Sequence, residues 1–215
     1  MLFQMFFSLC LSFPDLPTAD YTRVDPKAWS ARRMSVVHQI TKIEAAHRQL
    51  ATGVRMLFTN QDAVSTHTLF GASATLFGDL ARKRNASESW DQMAHQANGL
   101  ELTEYLRIIR TAQNFFKHAA SDPDGVFDLD PSDTEATGFV AVMNATALGA
   151  PLTFEAQVFQ LWYIAANLPH EDTEGFQAVD VNRWFGADLR SKTREERLAI
   201  GLDALNNWRP ADSTD

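Results

Sequence analysis

The 215-residue chain contains a single cysteine, Cys10, which excludes an intramolecular disulfide and any zinc or redox site built on paired thiolates. Lys and Arg are missing altogether from residues 118–182, and a stretch without fixed positive charge makes a poor surface for a phosphate backbone. There is no GxSxG nucleophile elbow, no glycine-lysine phosphate loop and no GxGxxG turn. Those absences remove the chemistry of serine hydrolases, P-loop nucleotidases and dinucleotide-dependent enzymes. No alternating series of strand character is present beyond Gly125–Leu129, where Val126, Phe127 and Leu129 predict at most a short extended arm. The apolar run at residues 1–13, MLFQMFFSLCLSF, is too short to cross a bilayer as a helix.

What remains is a globular composition, with 45% hydrophobic, 11% aromatic and 21% charged residues, and such a chain is expected to form one compact core. Nineteen basic and 27 acidic residues leave a net charge of −8, which argues against a surface built throughout for nucleic acid. The charge is unevenly placed. Residues 1–117 hold thirteen basic and ten acidic groups, residues 118–182 none and eleven, and residues 183–215 six of each. An anionic ligand is therefore expected on the first three helices, with the acidic middle keeping an apolar bundle soluble.

Residues 1–13 are similar to the apolar centre of a secretory signal, but no Lys or Arg precedes them, and Pro14 and Pro17 break the stretch beyond them. A poor signal peptide, an interfacial anchor and sequence upstream of a true start at Met34 are the three readings. The last is adopted, because regular helical periodicity begins directly after Met34. Residues 1–33 are thus expected to be an irregular extension. Residues 34–215 are expected to be one helical domain with a core over 35–120 and further helices over 132–209. With no sign of an oxidising compartment or a membrane span, the expected location is cytoplasmic.

Ile40, Ile43, His47, Leu50, Val54 and Leu57 succeed one another at spacings of three and four and predict one face of a long first helix. Asp62 is a cap for a second helix carrying Leu69, Phe70, Leu76, Phe77 and Leu80, with the small residues Gly71 to Ala74 permitting close approach. Leu102, Tyr105, Leu106, Ile109, Ala112, Phe116 and Ala119 predict a third helix that stops at the turn Ser121-Asp122-Pro123-Asp124-Gly125. Ser132 and Glu135 have capping-box spacing for a fourth helix. Residues 153–168 are apolar nearly all round, and Thr193 with Glu196 opens a last amphipathic helix. The fold class is all-α, a helical bundle.

Metal sites find little support. Glu44-Ala-Ala-His47 has the ExxH spacing of di-iron bundles but no second copy, so His47 reads as a hydrogen-bonded core histidine. Asp122, Asp124, Asp128 and Asp130 lack the alternating ligand order of a calcium loop and read as a solvated turn. No cofactor and no metal are expected. Trp162 and Tyr163 are candidates to line an apolar pocket or simply to fill the core. One polar segment stands out, Arg110-Thr-Ala-Gln113-Asn114-Phe-Phe-Lys117-His118. On a continuous helix Arg110, Asn114 and His118 fall at i, i+4 and i+8 and make a slanting stripe. A histidine at a helix C-terminus has its cationic form favoured by the macrodipole, and an arginine nearby adds a fixed charge of the kind phosphodiester chemistry uses.

An all-α bundle whose long helix ends in Asn114, three residues and His118 resembles the HEPN superfamily. In its ribonuclease members, paired Arg and His residues of two facing protomers cut RNA without metal. The resemblance implies a homodimer with a catalytic set of His118 handling the proton, Asn114 as the polar motif residue and Arg110 holding phosphate, and Lys117 and Arg107 are the candidates to bind RNA beside it. Gln113 stands where the family has its arginine, which leaves Arg110, one turn away, to supply the charge. Two functional classes are compatible with these residues. One is a HEPN-like protein that binds or cleaves RNA, as in defence or toxin–antitoxin systems. The other is a non-enzymatic helical module that assembles with itself or a protein partner through its apolar helix 153–168 and acidic segment. That apolar helix is itself expected to require a covering partner.

Overall fold

The computed structural model describes residues 38–84, 89–120, 122–167, 185–186 and 188–208. The expectations for residues 1–33, and for the chain around Met34, lie outside the described residues. Eight α-helices and one short 3-10 helix make up the regular structure, and no strand is present among the described residues. The all-α expectation is met.

Helix α1 spans Lys42–Phe58 and starts at a capping box. The Thr41 hydroxyl accepts from Glu44 N–H at 3.1 Å, and the Glu44 carboxylate accepts from Thr41 N–H at 2.9 Å, so two otherwise orphaned donors are satisfied. Ala46, Leu50, Val54 and Leu57 form its buried stripe. Ile40 precedes the cap and is half exposed, so it does not belong to that face as the spacing predicts.

Helix α2, Ala63–Arg84, is capped by Asp62, whose Oδ1 accepts from Ser65 N–H at 2.7 Å. Its small residues bring backbones together as expected. Ser73 donates its hydroxyl to the Ala46 carbonyl at 2.9 Å, and Phe70, fully buried, is wedged between glycines of two neighbours. A Cβ on Gly53 would lie 2.7 Å from the Phe70 ring and one on Gly138 2.9 Å from it. Burying that ring is worth roughly 1.5–3 kcal/mol, and only glycine leaves room for it on both sides.

The third predicted helix is two. After α3, Trp90–Ala97, the chain forms α4, Leu102–Ile109, and then α5, Thr111–Lys117, with a bend at Arg110 (φ −99°, ψ 5°). Thr111 donates its hydroxyl back to the Arg107 carbonyl at 2.9 Å. Such back-bonding competes with the helical ladder and bends it. The predicted arm at Gly125–Leu129 has no strand partner; Val126 is 90% exposed, while Phe127 rests on Phe115 and Phe116.

Helix α6, Pro131–Ala147, is capped by Asp130, not by the expected Ser132. Pro131 has its φ pre-set for the first helical position, which moves the start two residues earlier, and Asp130 accepts from Ser132 N–H at 2.8 Å. Glu135, freed from capping, is buried and accepts from Arg194 Nε at 2.9 Å. That bond ties α6 to α8, Arg194–Asn207, which opens with the expected Thr193–Glu196 capping box.

Helix α7, Phe154–Asn167, carries the apolar stretch expected to require a partner. It is covered within the chain by α1, α6 and α8. Trp162 is fully buried and donates Nε1–H to the Arg197 carbonyl at 2.7 Å; Tyr163 stacks on Phe139 with ring centroids 4.3 Å apart. None of its large apolar side chains is exposed. Trp162 and Tyr163 therefore fill the core.

Candidate functional site

The polar segment after α4 does not form a single helical stripe. Arg110 occupies the bend, Asn114 lies in the middle of α5, and His118 comes after its end in an extended conformation (φ −130°, ψ 106°). Arg110 is paired with Asp79 at 3.2 Å. Asn114, Lys117 and His118 are exposed, as is Arg107 on α4. Gln113 is buried, 4% exposed, and accepts from the Thr75 hydroxyl at 3.3 Å. It lies so close to α2 that a Cβ on Gly71 would come within 2.9 Å of its amide carbon. The residue standing at the family's arginine position thus faces the interior, and the nearest arginine is held by a carboxylate.

Asp79 belongs to a larger network. Arg82 bonds both Asp79 and Asp91, and Asp91, 1% exposed, also accepts from Asn144 Nδ2 at 3.0 Å. Gly78 makes the space, since a Cβ there would lie 2.6 Å from Asp91 Oδ2. Burial, and next the charge of Asp91, push the Tyr105 phenol up to about 12, so it stays protonated at neutral pH. Asp79, Arg82, Asp91 and Asn144 are bonded in series, and the network reads as the joint between α2, α3 and α6.

Next to the bend, α2, the α4–α5 junction and α6 enclose a groove of about 290 Å³. Its walls are mostly apolar or small: Gly71, Ala74, Ile108, Ile109, Ala112, Phe127, Ala136 and Val140. The polar groups are His67, Thr75, Arg110, Thr111, Gln113, Asp133 and Thr137. Ile108, 48% exposed, stands at its edge. His67 is 1% exposed, and its Nδ1 lies 3.2 Å from the Thr134 hydroxyl. Its Nε2 has no hydrogen-bond partner. Phe116 contacts the ring edge to face, with centroids 5.7 Å apart. Burial pushes the imidazole below its usual range, opposed by the charge of Asp133, so the ring is neutral at pH 7. A second depression beside α7 and α8 contains the Arg55–Glu155 ion pair, whose charges compensate each other.

The groove can therefore seat an apolar group with polar atoms at its wall, a common composition for a binding pocket. The sequence signals only part of it. Gly71 and Ala74 are visible as small residues, but nothing in the spacing singles out His67, because its partner Thr134 is 67 positions away. Of the ExxH pair, Glu44 is engaged at the α1 cap, and no group of three or more potential metal ligands exists among the described residues. His47 is not the hydrogen-bonded core histidine expected: its Nδ1 has no partner and its ring contacts Phe77 edge to face at 5.0 Å. Asp122, Asp124, Asp128 and Asp130 are exposed, as a solvated turn requires. No helix among the described residues is long and apolar enough to cross a membrane. Compared with known proteins, the chain matches no family model, no curated protein and no solved structure.

Proposed function

We propose that this protein is a non-enzymatic helical binding module and that the groove between α2, the α4–α5 junction and α6 is its binding face. The observation that carries this reading is the groove itself, about 290 Å³ lined mainly by apolar and small side chains. What sets it apart from the larger depression beside α7 and α8, about 360 Å³, is its lining, since that one holds the Arg55–Glu155 ion pair. The fixed charge a metal-free nuclease would need is otherwise engaged or absent: Arg110 pairs with Asp79, and Gln113, at the family's arginine position, packs against α2.

The experiment is saturation-transfer NMR with toluene, which tests the groove as a seat for an apolar group. Toluene is expected to bind the full chain. Ala136→Leu and Ala74→Leu, each placing an isobutyl group into the groove, are expected to abolish the signal. Binding that survives both substitutions would refute the reading.

A second reading is favoured by one observation, the exposure of Arg107, Lys117 and His118 on one segment. In that reading the protein is HEPN-like, associates as a homodimer and holds RNA through these groups. RNA affinity would then fall with salt and weaken in Arg107→Ala and His118→Ala. On the first reading neither substitution changes any RNA signal.

A further inference from the structure

Asp133 brings to the groove a charge that no other group at its wall compensates. The α6 residues lining the groove are Asp133, Ala136, Thr137 and Val140, and their helical spacing places the carboxylate on the face that forms the wall. Asp133 is exposed, and among the described residues its carboxylate has no hydrogen bond or ion pair. No Lys or Arg occurs between residues 118 and 182, so neither α6 nor the arm before it supplies a counter-charge. Arg194, which reaches α6 from α8, is held by Glu135, and Arg110 at the groove wall is held by Asp79. Burial lowers the His67 imidazole and the charge of Asp133 opposes it, so the field of the carboxylate reaches the ring at the wall.

The hydroxyls of the groove have no protons left to offer. Thr75, Thr111 and Thr137 donate theirs to Gln113 Oε1, the Arg107 carbonyl and the Asp133 carbonyl, at 3.3, 2.9 and 2.7 Å. A hydroxyl carries one proton, so each of the three is left as an acceptor. His67 Nε2 is closed to solvent and takes no part.

We infer that the groove is a site for an organic cation, an ammonium group on an apolar body, with the ammonium paired to the Asp133 carboxylate. The inference rests on the groove being the binding face and adds the class of its occupant. An ammonium has protons to give and no lone pair to accept, which matches a lining of carboxylate and committed hydroxyls. Ile108, Ala112, Phe127, Ala136 and Val140 cover the apolar body. A neutral occupant of the same shape would strip water from the carboxylate and return nothing to it, and an anion would be repelled.

The test compares three probes of similar size, toluene, benzylamine and benzoate, on the full chain by saturation-transfer NMR. Benzylamine is expected to displace toluene and to bind about fivefold more tightly, the upper end for an exposed ion pair. That preference is expected to shrink at about 1 M salt, where the screening length is about 3 Å. Asp133→Asn is expected to make the two affinities equal while toluene binding persists. Asp128→Asn, at an exposed position of the arm, is expected to leave the preference in place, and Ala136→Leu to abolish both signals. Equal affinity for toluene and benzylamine in the unaltered chain overturns the inference and leaves the apolar groove standing. A preference that survives Asp133→Asn, or falls as far in Asp128→Asn, also overturns it, as does benzylamine binding that survives Ala136→Leu. Benzoate as the preferred probe overturns it and assigns recognition to Arg110. Failure of every probe to bind overturns the groove reading itself. If Asp133→Asn does not fold, the carboxylate carbon shift of Asp133 in the unaltered chain, expected to move with benzylamine and not with toluene, decides alone.

Discussion

Replacing Gln113 by arginine restores the residue that the HEPN resemblance implies at this position, and the two readings of the segment predict opposite results. In the folded chain Gln113 is 4% exposed and lies against Gly71, with its oxygen bonded to Thr75. An arginine there cannot discharge by losing a proton. Of the carboxylates nearby, Asp79 already holds Arg82 and Arg110, and Asp133 stands at the wall of the groove. An uncompensated buried charge costs about 3–5 kcal/mol, and the guanidinium recovers part of this by extending into the groove. The expected net destabilisation is about 3 kcal/mol, a fall in Tm of roughly 6–12 °C for a chain of this length. Scanning calorimetry measures it, with Asn114→Arg, at an exposed site of the same helix, as a control expected to change stability by about 0.5 kcal/mol or less. An unchanged Tm for Gln113→Arg, accompanied by new RNA cleavage, would refute the interior placement of position 113 and the loss of the nuclease charge with it.

Three further outcomes are expected from the packing. Asp91→Ala leaves Arg82 and Asn144 without their shared acceptor in a buried joint and is expected to cost about 3 kcal/mol, read by urea unfolding; a loss below about 1 kcal/mol would show that the network adds little. Gly201→Ala drives a methyl group into the Phe58 ring, which is boxed in by Phe159 and Trp162, and is expected to cost about 1–3 kcal/mol by the same assay. His47 and His67 both have their pKa lowered by burial, so on acidification the unfolded chain takes up protons first. Stability is then full above about pH 6.5 and falls as pH drops from there towards the depressed folded values. His67→Phe is expected to flatten that slope, and stability that rises on acidification through this range would contradict the assignment.

The sequence makes the helices legible because each is specified locally. The Thr193–Glu196 box and the Asp62 cap are written within four residues and appear where expected. Ser132 misleads because Asp130 and Pro131 make a competing start two residues earlier. Glu135, which looks like the far half of a capping box, answers instead to Arg194, 59 positions on. The break at Arg110 is hidden because Leu102 to Ala119 keeps its helical period across it; only the Thr111 hydroxyl marks the bend. Helix α7 looks as though it requires an outside partner because its composition cannot reveal that three helices of the same chain surround it. The groove is least legible of all. Its walls come from residues 67–75, 108–113, 127 and 133–140, and nothing local records that these segments meet.

Whether the apolar groove, and not the exposed cationic groups after α4, is the binding face is tested most directly by backbone-amide shift mapping of the full chain, with toluene in one sample and a short single-stranded RNA in another. Toluene is expected to shift the amides of Gly71, Ala74, Ala112, Ala136 and Val140, while RNA leaves Arg107, Asn114, Lys117 and His118 unmoved. Salt-sensitive RNA shifts at those four residues, with no toluene response in the groove, would contradict the assignment of the groove as the binding face.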